Sequence, residues 1–249
     1  MNWPSFLDRL DASAVDVAVI LLPLPHEQTV SYGGGTLQAP EAIWRASTQI
    51  ELWDEELGFD LASLKYHTAP SIVCEVDETP ETYLGRVLEH GRLYQAMSGL
   101  VVGVGGEHSL TPALVRAAVD DSEDLSNLTV VQFDAHADLR DAYNDSPHSH
   151  ACAMRRLVER GARVVAVGIR SAEREEYEFG RDCNLVRTFP ARELIMDPKV
   201  ETSLMAELGN LDGPLYLTVD IDALEVSLCP GTGTPQPGGL GWWPTLKYL

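Results

Sequence analysis

The sequence predicts an α/β protein in which helices cover a mainly parallel sheet. Three observations carry this. Short apolar runs alternate with longer amphipathic ones along the chain, the pattern of strands joined by crossover helices. Prolines stand where helices would start, at Pro80, Pro112 and Pro198, because proline fits the first helical turn. Three strand candidates also run out into polar and titratable residues, as strands do at the ligand-collecting rim of an open α/β sheet.

The first strand is expected over Val15–Leu22, inside an apolar run to Leu24 that Asp16 and Pro23 interrupt. The run is too short to span a bilayer. A glycine-rich loop, Ser31–Gly35, follows. Apolar residues at helical spacing predict helices over Glu81–Met97, Pro112–Val119, Ala151–Arg160 and Val200–Leu208, with charge on their other faces. Between them, Leu100–Val104, Leu128–Phe133, Arg163–Val167 and Leu215–Val219 have strand composition. Pro230–Gly241 is the second loop-rich stretch. Trp242, Trp243, Leu246, Tyr248 and Leu249 begin an apolar helix that stops with the chain; a parallel sheet normally covers such an element with more chain, so the sequence reads as C-terminally incomplete. No repeat, low-complexity tract or linker divides it, and residues 1–249 are expected to form a single domain.

Composition narrows the partners. At 249 residues, 45% hydrophobic and 22% charged, the chain is an ordinary globular protein able to bury a substantial core. Its net charge of −20 argues against nucleic acid or an anionic membrane as partner and suits a small cationic substrate, although a well-solvated surface accounts for most of it. Cys74, Cys152, Cys183 and Cys229 are scattered, without a C-x-x-C pair, which fits a reducing cytoplasm. The first residues lack the basic and apolar regions of a signal peptide.

The chemistry gathers at three strand ends. Thr129-Val-Val-Gln-Phe-Asp134-Ala-His136-Ala-Asp138 places potential ligands at every second position, and in an extended chain such residues share one face. Two carboxylates so close need a cation, or one must take up a proton. Leu215-Tyr-Leu-Thr-Val-Asp220-Ile-Asp222 repeats the arrangement, and Leu100-Val-Val-Gly-Val-Gly-Gly-Glu-His108 ends in an imidazole after glycines that allow close backbone approach. His108, Asp134, His136, Asp138, Asp220 and Asp222 are too many for one catalytic zinc. They suit two divalent ions, with Mn²⁺ favoured by an oxygen-rich, thiolate-free set and Fe, Co, Ni or Zn also accommodated. Two such ions generate hydroxide at neutral pH, so hydrolysis is the natural reaction class. The glycines of Gly103–Gly106 do not form a phosphate loop, because His108 occupies the third glycine's position and no Gly-Lys-Ser/Thr follows.

Gly105-Gly-Glu-His-Ser109, Asp134-Ala-His-Ala-Asp138, Ser149-His-Ala151 and Asp220-Ile-Asp-Ala-Leu, with Pro230-Gly-Thr-Gly-Thr-Pro and Gly238-Gly-Leu beyond, together resemble the signature set of the ureohydrolase family of arginases and agmatinases. The resemblance runs from about Gly33 to the last residue, through Pro40-Glu-Ala-Ile43 and Val167-Gly-Ile-Arg-Ser171. It implies a three-layer α/β/α fold with a mainly parallel central sheet and a binuclear manganese centre that hydrolyses a guanidino group to urea and an amine. Asp134 and Asp220 would bridge the ions, His108 and Asp138 complete one site, and His136 and Asp222 the other. Asp138 would also orient the hydroxide. His150, rather than the neighbouring His148, is the counterpart of the family's proton donor, and histidine has the pKa for that task. The segment Asp138–Arg156 is most similar to the agmatinase branch, which implies agmatine as substrate and putrescine as product. Guanidinobutyrate, arginine and formimidoylglutamate remain as alternatives, as does a truncated or degenerate member without activity. Family members usually assemble into trimers or hexamers.

Three positions depart from the family pattern. Glu107 stands where arginases have Asp, Glu225-Val226 replaces an Asp-Pro pair, and Pro244 occupies the place of an acid that pairs with the guanidinium. Proline makes no charge-assisted hydrogen bond. His26, His67 and His90 lie outside every motif and are expected to be surface or packing residues.

Overall fold

Strand β1 (Val19–Leu24) begins four residues after the expected start. The cause is local: Asp16 takes a left-handed conformation (φ 65°), which breaks the extended run, and Val15 is exposed. The computed structural model describes residues 3–97, 99–119 and 124–249. They form two compact units, one of Met1–Gln28 with Gly34–Asp121 and the other of Thr29–Gly33 with Ser122–Leu249.

In the first unit β1 is followed by α1 (Ala39–Ser47), a short antiparallel pair β2 (Trp53–Asp54) and β3 (Phe59–Asp60), and β4 (Tyr66–Thr68). Next come α2 (Pro80–Gln95), β5 (Leu100–Gly105) and α3 (Thr111–Ala118). The sheet order is β4-β1-β5, all parallel. Helix α2 starts as the proline predicted, with Thr79 accepting the Thr82 N–H at 3.2 Å and Pro80 in the first turn. It buries Tyr83, Leu84, Val87 and Leu88. At Gly91 a Cβ would lie 2.8 Å from the Ala117 Cβ, so glycine there lets α2 and α3 pack closely. Gly106 is required more strictly, since a Cβ would lie 2.0 Å from the His26 carbonyl oxygen. Gly106 thus serves the close backbone approach that the sequence indicated, whereas a Cβ at Gly103 or Gly105 would meet the side chain of Leu114 at 2.5 Å or of Leu110 at 2.6 Å.

The second unit contains β6 (Thr129–Phe133), α4 (Ala153–Val158), β7 (Arg163–Ile169), α5 (Arg174–Asp182) and β8 (Val186–Pro190). The helices α6 (Ala191–Met196) and α7 (Pro198–Gly209), strand β9 (Leu215–Val219) and helix α8 (Trp242–Tyr248) complete it. Its parallel sheet has the order β8-β7-β6-β9. Every residue of β6 is buried, because neighbours flank it on both sides. Phe133, Val167, Phe189, Leu204 and Leu240 belong to one core cluster, and each such side chain contributes ~1.5–3 kcal/mol on burial. Phe133 pairs with Val167 on one side and Val219 on the other. Strands β6 and β9 therefore end at one level, where Asp134 and Asp220 leave the sheet together, while β7 runs on to Ile169. Helix α4 starts at Ala153 rather than Ala151, because His150–Cys152 form a separate 3-10 turn. Among the described residues no helix is long and apolar enough to cross a membrane.

Candidate metal centre

Asp134, His136 and Asp222 bring ligand atoms to within 4.8 Å of one another. Asp134 and Asp222 are 1% and 3% exposed, and such burial of two carboxylates is costly without partners. Their hydrogen bonds fix them. Asp134 Oδ1 accepts the His136 N–H at 2.7 Å, and Oδ2 accepts the Gln132 side-chain amide at 2.9 Å. Asp222 Oδ1 accepts the Ala135 N–H at 2.9 Å, tying the end of β9 to the end of β6. The remaining Asp222 oxygen faces His136 Nδ1 at 3.0 Å, with Asp134 Oδ1 at 3.7 Å. Burial alone pulls the His136 pKa down, but hydrogen bonds to Asp134 and Asp222 and their charges overcome it and carry it to about 10.

The other expected ligands in this unit flank the cluster. Asp220 caps the turn after β9, its Oδ1 accepting the Asp222 N–H at 3.0 Å. Asp138 is buried and left-handed (φ 53°). Its carbonyl accepts the N–H groups of Met154 and Arg155 at 3.0 and 3.1 Å, so the ligand loop is sewn to the start of α4. Arg140 N–H to the Ala151 carbonyl, 3.1 Å, adds a second stitch beside His150. Asp138, His150 and the cluster thus share one unit. His108 follows β5 in the first unit, at the start of a 3-10 turn.

His150 is held by hydroxyls. Thr29 Oγ1 lies 3.2 Å from Nδ1 and accepts the His150 main-chain N–H at 3.0 Å, Ser149 Oγ lies 3.4 Å from Nδ1, and Ser31 Oγ lies 3.4 Å from Nε2.

Sequence reasoning assigned no role to Gln132 or Arg170, and both organise the cluster. Gln132 is the one amide side chain inside the buried strand β6, and it also reaches the His136 carbonyl at 3.2 Å. Arg170 sits just past a β7 irregularity at Gly168 (φ 95°). Its guanidinium donates to the carbonyls of Asp222 and Gln236 at 2.7 Å each and reaches those of Ala223 and Leu224 at 3.4 and 3.3 Å. It ties the ligand turn after β9 to the Pro230–Gly241 loop.

The departures from the family pattern now have surroundings. Glu225 Oε2 accepts the N–H groups of Gly238 and Gly239 at 2.8 and 2.7 Å, so Glu225 pins the Gly-Gly-Leu turn. Gly239 itself is pressed against Leu224, where a Cβ would lie 2.5 Å from the carbonyl carbon and oxygen. Gly239→Ala is expected to lower stability by ~1–3 kcal/mol, measured as a lower denaturation midpoint at unchanged slope. Pro244 is exposed in the first turn of α8. Glu107 is buried, with Oε1 3.0 Å from His26 Nε2 and accepting the Ser109 hydroxyl at 3.0 Å. His26 is fully buried and stacks on Tyr83 at 4.3 Å, while His90 is exposed and His67 Nδ1 lies 3.0 Å from the Ala12 carbonyl.

Helix-flanked, mainly parallel sheets with a carboxylate–imidazole cluster where β6 and β9 end define an α/β protein with a candidate cation site. Residues 17–249 match the model of the arginase family, and the chain belongs to that family. It is 36% identical over 249 residues to the N(1)-aminopropylagmatine ureohydrolase of Synechocystis sp., covering 95% of this chain and 77% of that protein. It is 33% identical over 236 residues to the agmatinase of Pyrococcus horikoshii, covering 94% and 78%. The proclavaminate amidino hydrolase of Streptomyces clavuligerus superposes with a TM-score of 0.84 at 25% identity, covering all of this chain and 83% of that one. The three-layer α/β/α class and the ureohydrolase resemblance expected from the motifs both hold.

Proposed function

We propose that the protein is a manganese-dependent, agmatinase-type ureohydrolase that releases urea and an amine from a small cationic guanidino compound, agmatine giving putrescine. The observation that carries this is the convergence of Asp134, His136 and Asp222 in the unit that also holds His150. Two buried carboxylates around one imidazole fit a divalent cation of the Mn²⁺ type. Asp134, His136, Asp138, Asp220 and Asp222 would hold two such ions, with His108 added on the strength of its sequence motif. When bound, the ions supply Lewis acidity and make hydroxide available at neutral pH.

The protein's own groups account for the remaining chemistry. A guanidinium is resonance-stabilised and resists free water, so the attacking water must be oriented, and Asp138 is the acceptor that the family resemblance assigns to that role. Attack forms a C–O bond, the C–N bond to the amine then breaks, and His150 gives the leaving nitrogen a proton. The acid that family members place at the Pro244 position has no counterpart there, and Glu225 is engaged with Gly238 and Gly239. The net charge of −20 supports a cationic substrate tail over an anionic one. This reading places the enzyme in the cytoplasm, with Cys74, Cys152, Cys183 and Cys229 all free, as a homo-oligomer of the trimeric or hexameric kind.

A second substrate is favoured by one observation, the 36% identity to a relative named for N(1)-aminopropylagmatine. Rates of urea release from agmatine, N(1)-aminopropylagmatine, guanidinobutyrate, arginine and formimidoylglutamate separate the readings. The kcat/KM for one of the two cationic amines is expected to exceed that for guanidinobutyrate by ~10-fold or more, about 1.4 kcal/mol of differential binding. A preference for guanidinobutyrate or formimidoylglutamate would contradict the assignment.

A further inference from the structure

We propose that Thr29 is a positioning residue that holds the His150 imidazole with its proton on Nδ1, leaving Nε2 as the nitrogen that exchanges a proton. The proposal rests on the reading of His150 as proton donor to the leaving amine, and it concerns a residue that lies 121 positions away in sequence.

The geometry is that of a clamp. A threonine hydroxyl has two acceptor lone pairs; Thr29 Oγ1 accepts the main-chain N–H of His150 at 3.0 Å and lies 3.2 Å from its ring Nδ1, the second donor in the proposed tautomer. Holding main chain and ring through a single atom fixes the orientation of the imidazole, and Nε2 then points to the opposite side, where Ser31 Oγ lies 3.4 Å away. Ser149 Oγ, 3.4 Å from Nδ1, lies on the Thr29 side. The edge of the Tyr143 ring packs on the imidazole with centroids 6.0 Å apart.

The clamp is itself anchored. Thr29–Gly33 belongs to the unit that carries His150, although the chain on either side of it belongs to the other unit. Gly33 N–H donates to the Gly233 carbonyl at 2.9 Å, and a Cβ on either glycine would lie 2.9 Å from the other's oxygen. This contact fastens the Thr29–Gly33 segment at its far end.

Fixing the tautomer matters for acid catalysis. A doubly protonated imidazole that gives up its Nε2 proton becomes the neutral Nδ1–H form, the form Thr29 already holds. Transfer to the leaving nitrogen then needs no reorientation of the ring, and the reverse exchange with water uses the same atom. A misheld tautomer forfeits much of what a general acid contributes.

The test compares Thr29→Val, which keeps the shape and removes the oxygen, with Thr29→Ser, which keeps the oxygen. Steady-state urea release is expected to show kcat lowered ~10–100-fold in T29V at a KM within about threefold of wild type, with T29S restored to within about threefold. Side-chain ¹⁵N shifts of selectively labelled histidine, recorded on Mg²⁺-loaded protein, should report Nδ1–H for neutral His150 in wild type and T29S and a changed balance in T29V. A wild-type kcat in T29V, equal impairment in both variants, or a predominant Nε2–H tautomer in the wild type would overturn the proposal. Should the wild type release no urea from any guanidino compound, the assigned reaction falls, and the tautomer readout still decides the Thr29 contact.

Discussion

His136→Ala is expected to reduce bound manganese and to lower urea release by more than the ~10–100-fold that loss of an outer partner of a metal ligand costs. The imidazole stands 3.0 Å from Asp222 Oδ2 and 3.7 Å from Asp134 Oδ1, and these carboxylates are 3% and 1% exposed. Without it the two acids face each other across a small cavity with too little compensating charge, and one is driven toward its protonated form. A protonated carboxyl is a poor ligand, so the substitution damages more than one ligand position. Elemental analysis of the purified variant and its urea assay check this together. A wild-type rate with wild-type metal content would contradict the role given to His136.

Arg170→Met should be the most damaging substitution away from the ligands themselves. The side chain is of similar length and apolar, but it abandons the carbonyls of Asp222 and Gln236, each held at 2.7 Å, and that of Leu224 at 3.3 Å. Burial pulls the pKa of this guanidinium down, while Asp222, Glu225 and Asp134 oppose that pull; an arginine nonetheless keeps its charge in proteins. Leaving partly buried carbonyls without a donor costs ~1–3 kcal/mol each, and the sum expected here is ~3–5 kcal/mol. Metal affinity should fall as well, because the turn bearing Asp222 loses its tie to the Pro230–Gly241 loop. Urea denaturation and manganese titration measure the two effects. Arg170→Lys should recover only part of either, since an ammonium lacks the planar fork that spans several carbonyls. An unchanged denaturation midpoint in Arg170→Met would remove Arg170 from the account.

The contrast between these two residues shows which parts of the site were legible in the sequence. His136 could be read directly, because an apolar run that ends in Asp-x-His-x-Asp marks a strand running out into spaced ligands, although the strand itself stops at Phe133 and Asp138 turns left-handed. Strand β9 (Leu215–Val219) followed by Asp220 and Asp222 was legible for the same reason. Arg170 was not, although its motif was recognised, because its partners are main-chain carbonyls, and these carry no residue identity. Thr29 acts across 121 positions, a separation that no local pattern spans. Gln132 left a signal, a lone amide in an apolar run, but only the fold shows that it faces Asp134.

The fold followed the same division. Helix α2 had a proline start and an apolar stripe, and the predicted span Glu81–Met97 lies close to the observed Pro80–Gln95. Helix α5, Arg174–Asp182, buries only Glu176; without an apolar stripe it is invisible to periodicity, and it is held instead by the reciprocal capping of Glu173 and Glu176. Strand β8 is a short edge strand with Arg187 and Thr188 exposed, a composition that does not announce a strand. The shift of β1 from Val15 to Val19 came from a backbone reversal at Asp16, which hydropathy does not register.

The most direct measurement is urea release from agmatine and from N(1)-aminopropylagmatine, with and without Mn²⁺, on protein whose bound metal is counted by elemental analysis. Urea from at least one of these amines when manganese is bound, and none after chelation, is the predicted result. Manganese-loaded protein that releases no urea from any guanidino compound would contradict it.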